Sequence, residues 1–164
     1  TFVRTGELIG ARWEEFDLEA AEWRIPEARM KMRTPHIVPL SAQAVEVVKM
    51  LTELRNLSPM VFPGERDHEK PMSNNTILKA LERMGYKGTM TGHGFRGVAS
   101  TILHELGWRH DVIELQLAHQ ERNAVSAAYN HATYLAERRK MMQAWADHLD
   151  QLRAGAKVLP FKAA

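Results

Sequence analysis

The sequence predicts a mainly α-helical domain with a small antiparallel β-sheet near its N-terminus, an α+β class. Three observations carry that reading. Apolar residues recur at helical spacing through most of the chain, as in Ala44, Val45, Val48, Leu51 and Leu54. Two short segments near the start, "EWRIPE" and "HIVPL", have strand character and flank a basic stretch. Breaks such as the Pro/Gly-punctuated residues 56–73 and "GYKGTMTG" separate the helical stretches.

Taken in order, residues 5–16, "TGELIGARWEEF", predict a first helix. Thr5 suits its cap, Glu7 its first turn, and Leu8, Ile9, Ala11 and Trp13 its apolar side. Residues 22–27 and 36–40 then form a hairpin or small sheet around "ARMKMRT". Ser41 caps a helix to about Arg55, with Leu54 the last residue of its stripe. Residues 56–73 are mostly loop. Ser73 or Asn74 starts a helix to about Met84, with Ile77, Leu78 and Leu81 inward, and "GYKGTMTG" ends it. Helices follow at about 92–106, 109–117, 123–129 and 134–152. The last should bury Leu135, Met142, Trp145, Leu149 and Leu152. A single unit is expected over 1–152, with 153–164 as a tail that is either a loose end or an arm for a partner.

Composition narrows the function classes. A chain of 164 residues, 45% hydrophobic and 26% charged, can bury a core. It has no cysteine, which removes disulfides, thiolate metal sites and cysteine nucleophiles and fits a cytosolic setting. No apolar run approaches the ~18 residues of a membrane span, and no signal peptide opens the chain. A formal charge of +2 and a pI near 9.0 form a mild basic bias compatible with nucleic acid. The start, "TFVRTGEL", has no initiator methionine and enters patterned sequence at once, as a fragment of a longer chain would.

Several residues could do chemistry. In "GHGFRGVAST", His93 and Arg96 stand three apart and so share a helix face. Arginine's planar fork suits phosphate oxygens, although a surface pair with a nearby carboxylate reads as well from so short a pattern. Lys31 lies in the expected turn between strands, the ordinary place for a solvated lysine. Arg4 precedes a helix start, His119 follows a helix end, and Tyr129 follows two alanines as a core tyrosine could. Eight histidines raise the question of a metal, but His104 and His110 are six apart and fit no ligand spacing. Nucleophile-elbow, P-loop and GxGxxG patterns are absent. No metal or cofactor is expected.

Read together in order, "RTGEL", "RMKMRTPHIVPLS", "TGHGFRGVAST", "LAHQERNAVSAAYNH" and "YLAERRKMMQAWADHLD" resemble the catalytic domain of tyrosine recombinases, in particular P4-like integrases of phages and genomic islands. The resemblance spans about residues 1–152. It implies that fold and a constellation Arg, Lys, His-x-x-Arg, His, Tyr, which falls on Arg4, Lys31, His93, Arg96, His119 and Tyr129. Thr5 departs from a frequent proline, and Gly97–Val98 from bulkier or polar residues.

The resemblance also implies the chemistry. Attack on an anionic phosphodiester builds charge, which Arg4 and Arg96 would stabilise in place of a metal. Tyr129 is the implied nucleophile, His93 the base, His119 a hydrogen-bond partner of the scissile phosphate, and Lys31 the general acid for the 5′ oxygen. The product is a 3′-phosphotyrosyl link that can be rejoined without ATP, giving site-specific integration or excision. The implied partner is double-stranded DNA carrying attachment sites. N-terminal DNA-binding domains and self-assembly on DNA through the last helix and tail belong to the same picture, in a bacterial cytoplasm without a membrane. Related readings are a type IB topoisomerase-like relaxase and a non-catalytic DNA-binding fragment. Arg33, Lys79, Arg83 and Lys87 are candidates either for phosphate contacts or for a solvated face.

Overall fold

The computed structural model describes residues 1–31, 33–54, 58–119 and 134–155. Among them are six α-helices and one three-stranded antiparallel sheet, so the mainly helical class with a small N-terminal sheet holds.

The first helix, α1, runs only over Thr5–Ile9, not to 16. The N–H of Ala11 bonds back to Leu8, and the chain then turns to pair with a distant segment. Trp13 N–H donates to Pro59 O at 3.1 Å and Val61 N–H to Ala11 O at 2.9 Å, which buries Ala11 completely. These long-range backbone bonds outweigh the local helix preference of "ARWEEF". They also tie residues 59–61 of the expected 56–73 loop to this turn, with an isolated bridge between Arg12 and Met60.

Strands β1 (Phe16–Asp17), β2 (Glu22–Ile25) and β3 (His36–Pro39) pair in that order. Trp23 sits opposite both Phe16 and Val38. Asp17 Oδ1 accepts the Ala20 N–H at 2.8 Å and closes the first turn. Phe16 stacks on Trp23 with centroids 5.1 Å apart. One core forms where Trp23, Ile25 and Val38 meet Val3, Ala11, Met30, Leu40 and Val61. Glu15 is buried beside it, accepting from Trp23 Nε1 at 2.9 Å and pairing with Arg29 Nε at 2.7 Å. Arg29 Nη2 reaches the carbonyl of Glu7 at 3.3 Å, so the start of the β2–β3 loop is tied to α1.

Helix α2 (Ala42–Glu53) is capped by Ser41, whose Oγ accepts the Ala44 N–H at 3.2 Å. Helix α3 (Asn74–Arg83) is capped likewise by Ser73. Val48 and Leu81 are buried, but Leu54 is 80% exposed and Leu78 faces solvent, against the expected stripes. Helices α4 (Gly94–Glu105), α5 (His110–Gln116) and α6 (Leu135–Arg153) build a second core from Leu103, Val112, Ile113, Leu117, Met141 and Met142. The helix expected at 123–129 lies outside the described residues.

The buried side of α6 is the expected one, but it ends early. Arg138, Met141, Met142 and Ala146 are inside, while Leu149 and Leu152 are exposed. The fully buried Arg138 lies on that side, between Leu135 and Met142. Its Nε donates to Gln116 Oε1 at 2.9 Å and its Nη2 to Ile37 O at 2.6 Å, joining α6 to α5 and β3. A buried arginine does not register in an apolar pattern. Burial lowers its guanidinium to about 10, still protonated at neutral pH. Arg138→Ala is expected to lose about 3 kcal/mol or more of stability, because two buried acceptors lose a charged donor and a cavity opens. Urea titration would show a lower midpoint at constant slope. An unchanged midpoint would remove Arg138 from the fold's supports.

Candidate active site

The site begins at the N-terminus of α1. Glu7, in the first turn, reaches back to the helix start. Its Oε2 accepts the Arg4 N–H at 2.8 Å and its Oε1 takes Arg4 Nη1 at 2.9 Å. Glu7 is buried, so its charge is matched locally by the partly exposed Arg4 guanidinium. That fixes Arg4 and leaves its Nη2 to donate to the carbonyl of Ala118 at 3.0 Å, 114 residues away.

The second arm comes from α4. His93 occupies the N-cap position and is exposed, while Arg96, one turn on, is only 4% exposed. Arg96 Nη1 donates to Phe2 O. Its Nη2 donates to Leu117 O at 2.7 Å and lies 3.3 Å from His119 Nε2. Burial first, and then the Arg4 charge, push the Arg96 guanidinium below its ordinary range, with Glu7 and Glu114 pulling the other way. It stays charged at any physiological pH. The approach of α1 to this motif requires Gly92, where a Cβ would fall 2.6 Å from Thr5 Oγ1.

The third arm is the end of α5. Ala118 N–H bonds to Leu115 O at 3.1 Å and His119 N–H to Glu114 O at 3.0 Å, the paired bonds of a Schellman turn. Ala118 takes φ +50°, where glycine is the unstrained choice and alanine costs roughly 1–2 kcal/mol. The turn aims the carbonyls of Leu117 and Ala118 at Arg96 and Arg4 respectively, and sets His119 beside them. His119 Nδ1 lies 2.8 Å from Glu114 Oε2.

Of the six residues expected from sequence, Arg4, Arg96 and His119 therefore converge, from three separate elements. His93 stands at the head of the helix that carries Arg96. Lys31 is exposed on the β2–β3 loop, lining an open cleft with Glu27, Ala28, Met30 and Arg33, and among the described residues it has no hydrogen bond to the arginine pair. Tyr129 lies outside the described residues. Of the basic candidates, Lys79 and Lys87 both pair with Glu82 on the surface of α3.

The sequence reading missed the roles of Glu7 and Glu114. Glu7 was legible in principle, since an acid three residues after Arg4 can close back on the helix start. Glu114 meets His119 only because the Schellman turn folds back over five residues. Chemically, the cluster offers two guanidinium forks and an imidazole to one tetrahedral anion, with donors now engaged by neutral carbonyls. Among the described residues no group of three or more His, Asp or Glu could hold a metal ion.

Comparisons with known proteins show the family of the chain. The chain is 44% identical over 159 residues to the prophage integrase IntA of Escherichia coli, covering 97% of this chain and 38% of that protein. It is 48% identical over 169 residues to the integrase of Enterobacteria phage P4, covering 93% of this chain and 38% of the relative. The chain thus spans well under half the length of these curated relatives. Its fold is similar to that of XerA recombinase, with a TM-score of 0.62 at 20% identity over 90% of this chain and 54% of the other. An integrase from mycobacterium phage Brujita gives a TM-score of 0.61 at 21% identity, over 85% and 46%. The family model for the phage integrase family matches residues 1–135, and the chain belongs to that family.

Proposed function

We propose that this chain is the DNA-cleaving part of a site-specific recombinase that breaks and rejoins strands through a 3′-phosphotyrosyl intermediate. The observation that carries the proposal is the meeting of Arg4 and Arg96, 92 residues apart in sequence, on adjacent carbonyls beside His119. Two fixed positive charges and an imidazole suit the pentacoordinate transition state of phosphoryl transfer, where charge grows on the non-bridging oxygens. In this reading Tyr129 attacks the phosphorus, His93 accepts its proton, His119 donates to a phosphate oxygen, and Lys31 protonates the departing 5′ oxygen. The phosphotyrosyl bond keeps the energy of the broken link, so a second 5′-hydroxyl can reverse the step.

Double-stranded DNA is the substrate, held chiefly through phosphate contacts and so weakened steeply by salt. Further DNA-binding segments elsewhere in the protein, and self-assembly on DNA through α6 and the residues after it, complete the proposal. No helix among the described residues is long and apolar enough to cross a membrane.

The test is covalent trapping. The protein is incubated, with chelator present, with nicked duplexes bearing attachment-site sequences, and the products are run on a denaturing gel. A protein band shifted by covalently attached DNA is expected. Cut DNA that carries no protein would overturn the reading, because it would show hydrolysis in place of tyrosine transfer.

A further inference from the structure

The contacts of His119 demand one protonation pattern, and both of its ring nitrogens give the same answer. Nε2 lies 3.3 Å from Arg96 Nη2. A guanidinium has donors and no acceptor, so in this arrangement Nε2 must carry the lone pair. A neutral imidazole then has its proton on Nδ1, and Nδ1 faces Glu114 Oε2 at 2.8 Å. A carboxylate can only accept, so that contact independently requires Nδ1–H. Free histidine prefers the other tautomer, with the proton on Nε2. The site therefore selects a minority form, and Glu114 is the group that selects it. The same glutamate receives the His119 backbone N–H on its carbonyl at 3.0 Å, so side chain and main chain hold the imidazole from one residue.

We propose that Glu114 is the positioning residue of this site, holding His119 as Nδ1–H so that the imidazole can offer phosphate a donor at Nε2 only by taking up a proton. This rests on the reading of His119 as a phosphate partner. In the free protein Arg96 donates to the Nε2 lone pair. When a phosphate oxygen enters, Arg96 turns its donor to the anion, Nε2 takes a proton from solvent, and the resulting imidazolium donates beside it. The carboxylate on Nδ1 holds the ring in place, as in other sites where a carboxylate orients a functional imidazole. The charged groups around His119 are Arg96 from α4, Arg4 from α1 with its partner Glu7, and Glu114 from α5.

Two measurements on the whole protein separate this inference from the functional reading beneath it. The first needs no DNA. Long-range proton–nitrogen correlation spectra of the imidazole are expected to show Nδ1–H for neutral His119 in the wild type and in Glu114→Gln, which keeps an acceptor. Glu114→Ala should shift neutral His119 toward the Nε2–H form, with only the Arg96 contact left to favour Nδ1–H. A wild-type spectrum of the Nε2–H form, or an Ala variant indistinguishable from wild type, overturns the inference whatever the protein does to DNA.

The second is single-turnover covalent trapping. Glu114→Ala should lose on the order of tenfold in rate. Glu114→Gln should recover most of that rate together with the Nδ1–H spectrum, whereas Glu114→Met, of similar size but without an acceptor, should recover neither, a pattern that a merely structural role would not produce. In a His119→Ala background, Glu114→Ala should cost nothing further. Additive losses would overturn the inference. A wild type with the Nδ1–H spectrum and no covalent product would instead refute the functional reading and leave the Glu114–His119 link standing.

Discussion

Tyr129→Phe is expected to abolish the covalent protein–DNA product while leaving duplex affinity unchanged. The substitution removes one oxygen and keeps the ring. What disappears is the only atom that the proposed reaction bonds to phosphorus. A phenol with a pKa of about 10 is a poor nucleophile until a base and positive charge assist it, and no neighbouring group inherits that role once the oxygen is gone. The comparison is made by covalent trapping on nicked duplexes, with binding followed separately by gel shift. A covalent band surviving in the phenylalanine variant would assign the nucleophile elsewhere. Loss of binding along with the band would mean that the hydroxyl also serves DNA binding.

The second large effect is at Arg96. Arg96→Lys is expected to slow strand cleavage by roughly 10²–10³, the loss typical of removing one preorganised donor from an oxyanion site. Lysine keeps the charge, so the loss would report geometry. Arg96 spans Phe2 O and Leu117 O with two different nitrogens while one of them also faces His119. A single ammonium cannot hold those directions at once. Arg96→Ala should be worse, because it also leaves two carbonyls without their donor. Single-turnover cleavage at fixed salt is the measurement, and a lysine variant within tenfold of wild type would show that charge alone suffices. Circular dichroism should accompany it, since Arg96 also ties α4 to the end of α5.

What could be read from the sequence divides along physical lines. Ser41 and Ser73 were legible as caps because a cap is a local event, complete within three residues. Strands β2 and β3 were legible from their composition. Strand β1 was not, because two residues are too few to show alternation and it exists only through its partners Glu22 and Trp23. The early end of α1 depends on Pro59 and Val61, which no window around Ile9 contains. The apolar pattern of α6 marked its buried face but passed over Arg138, a buried charge on that face, and ran on to Leu149 and Leu152, which are exposed.

The site shows the same division. Arg4, Arg96 and His119 were found because their spacing within short motifs resembles a known family. Their convergence is made by a left-handed turn at Ala118, a residue whose type gives no hint of it. Arg29 passed unnoticed, since its partners Glu15 and Glu7 lie 14 and 22 residues away.

Arg29 has one more consequence, for the proposed acid Lys31. Arg29 is fastened to Glu15 and α1, and the next residue, Met30, is buried in the first core. Lys31 therefore leaves an anchored backbone after a single step of about 3.5 Å, and its ammonium explores space chiefly on its own stem. A charge confined to so small a volume has a high effective concentration. Soluble amines should then restore cleavage to Lys31→Ala only as they approach that concentration. Loosening the anchor with Arg29→Ala should dilute the acid without touching it.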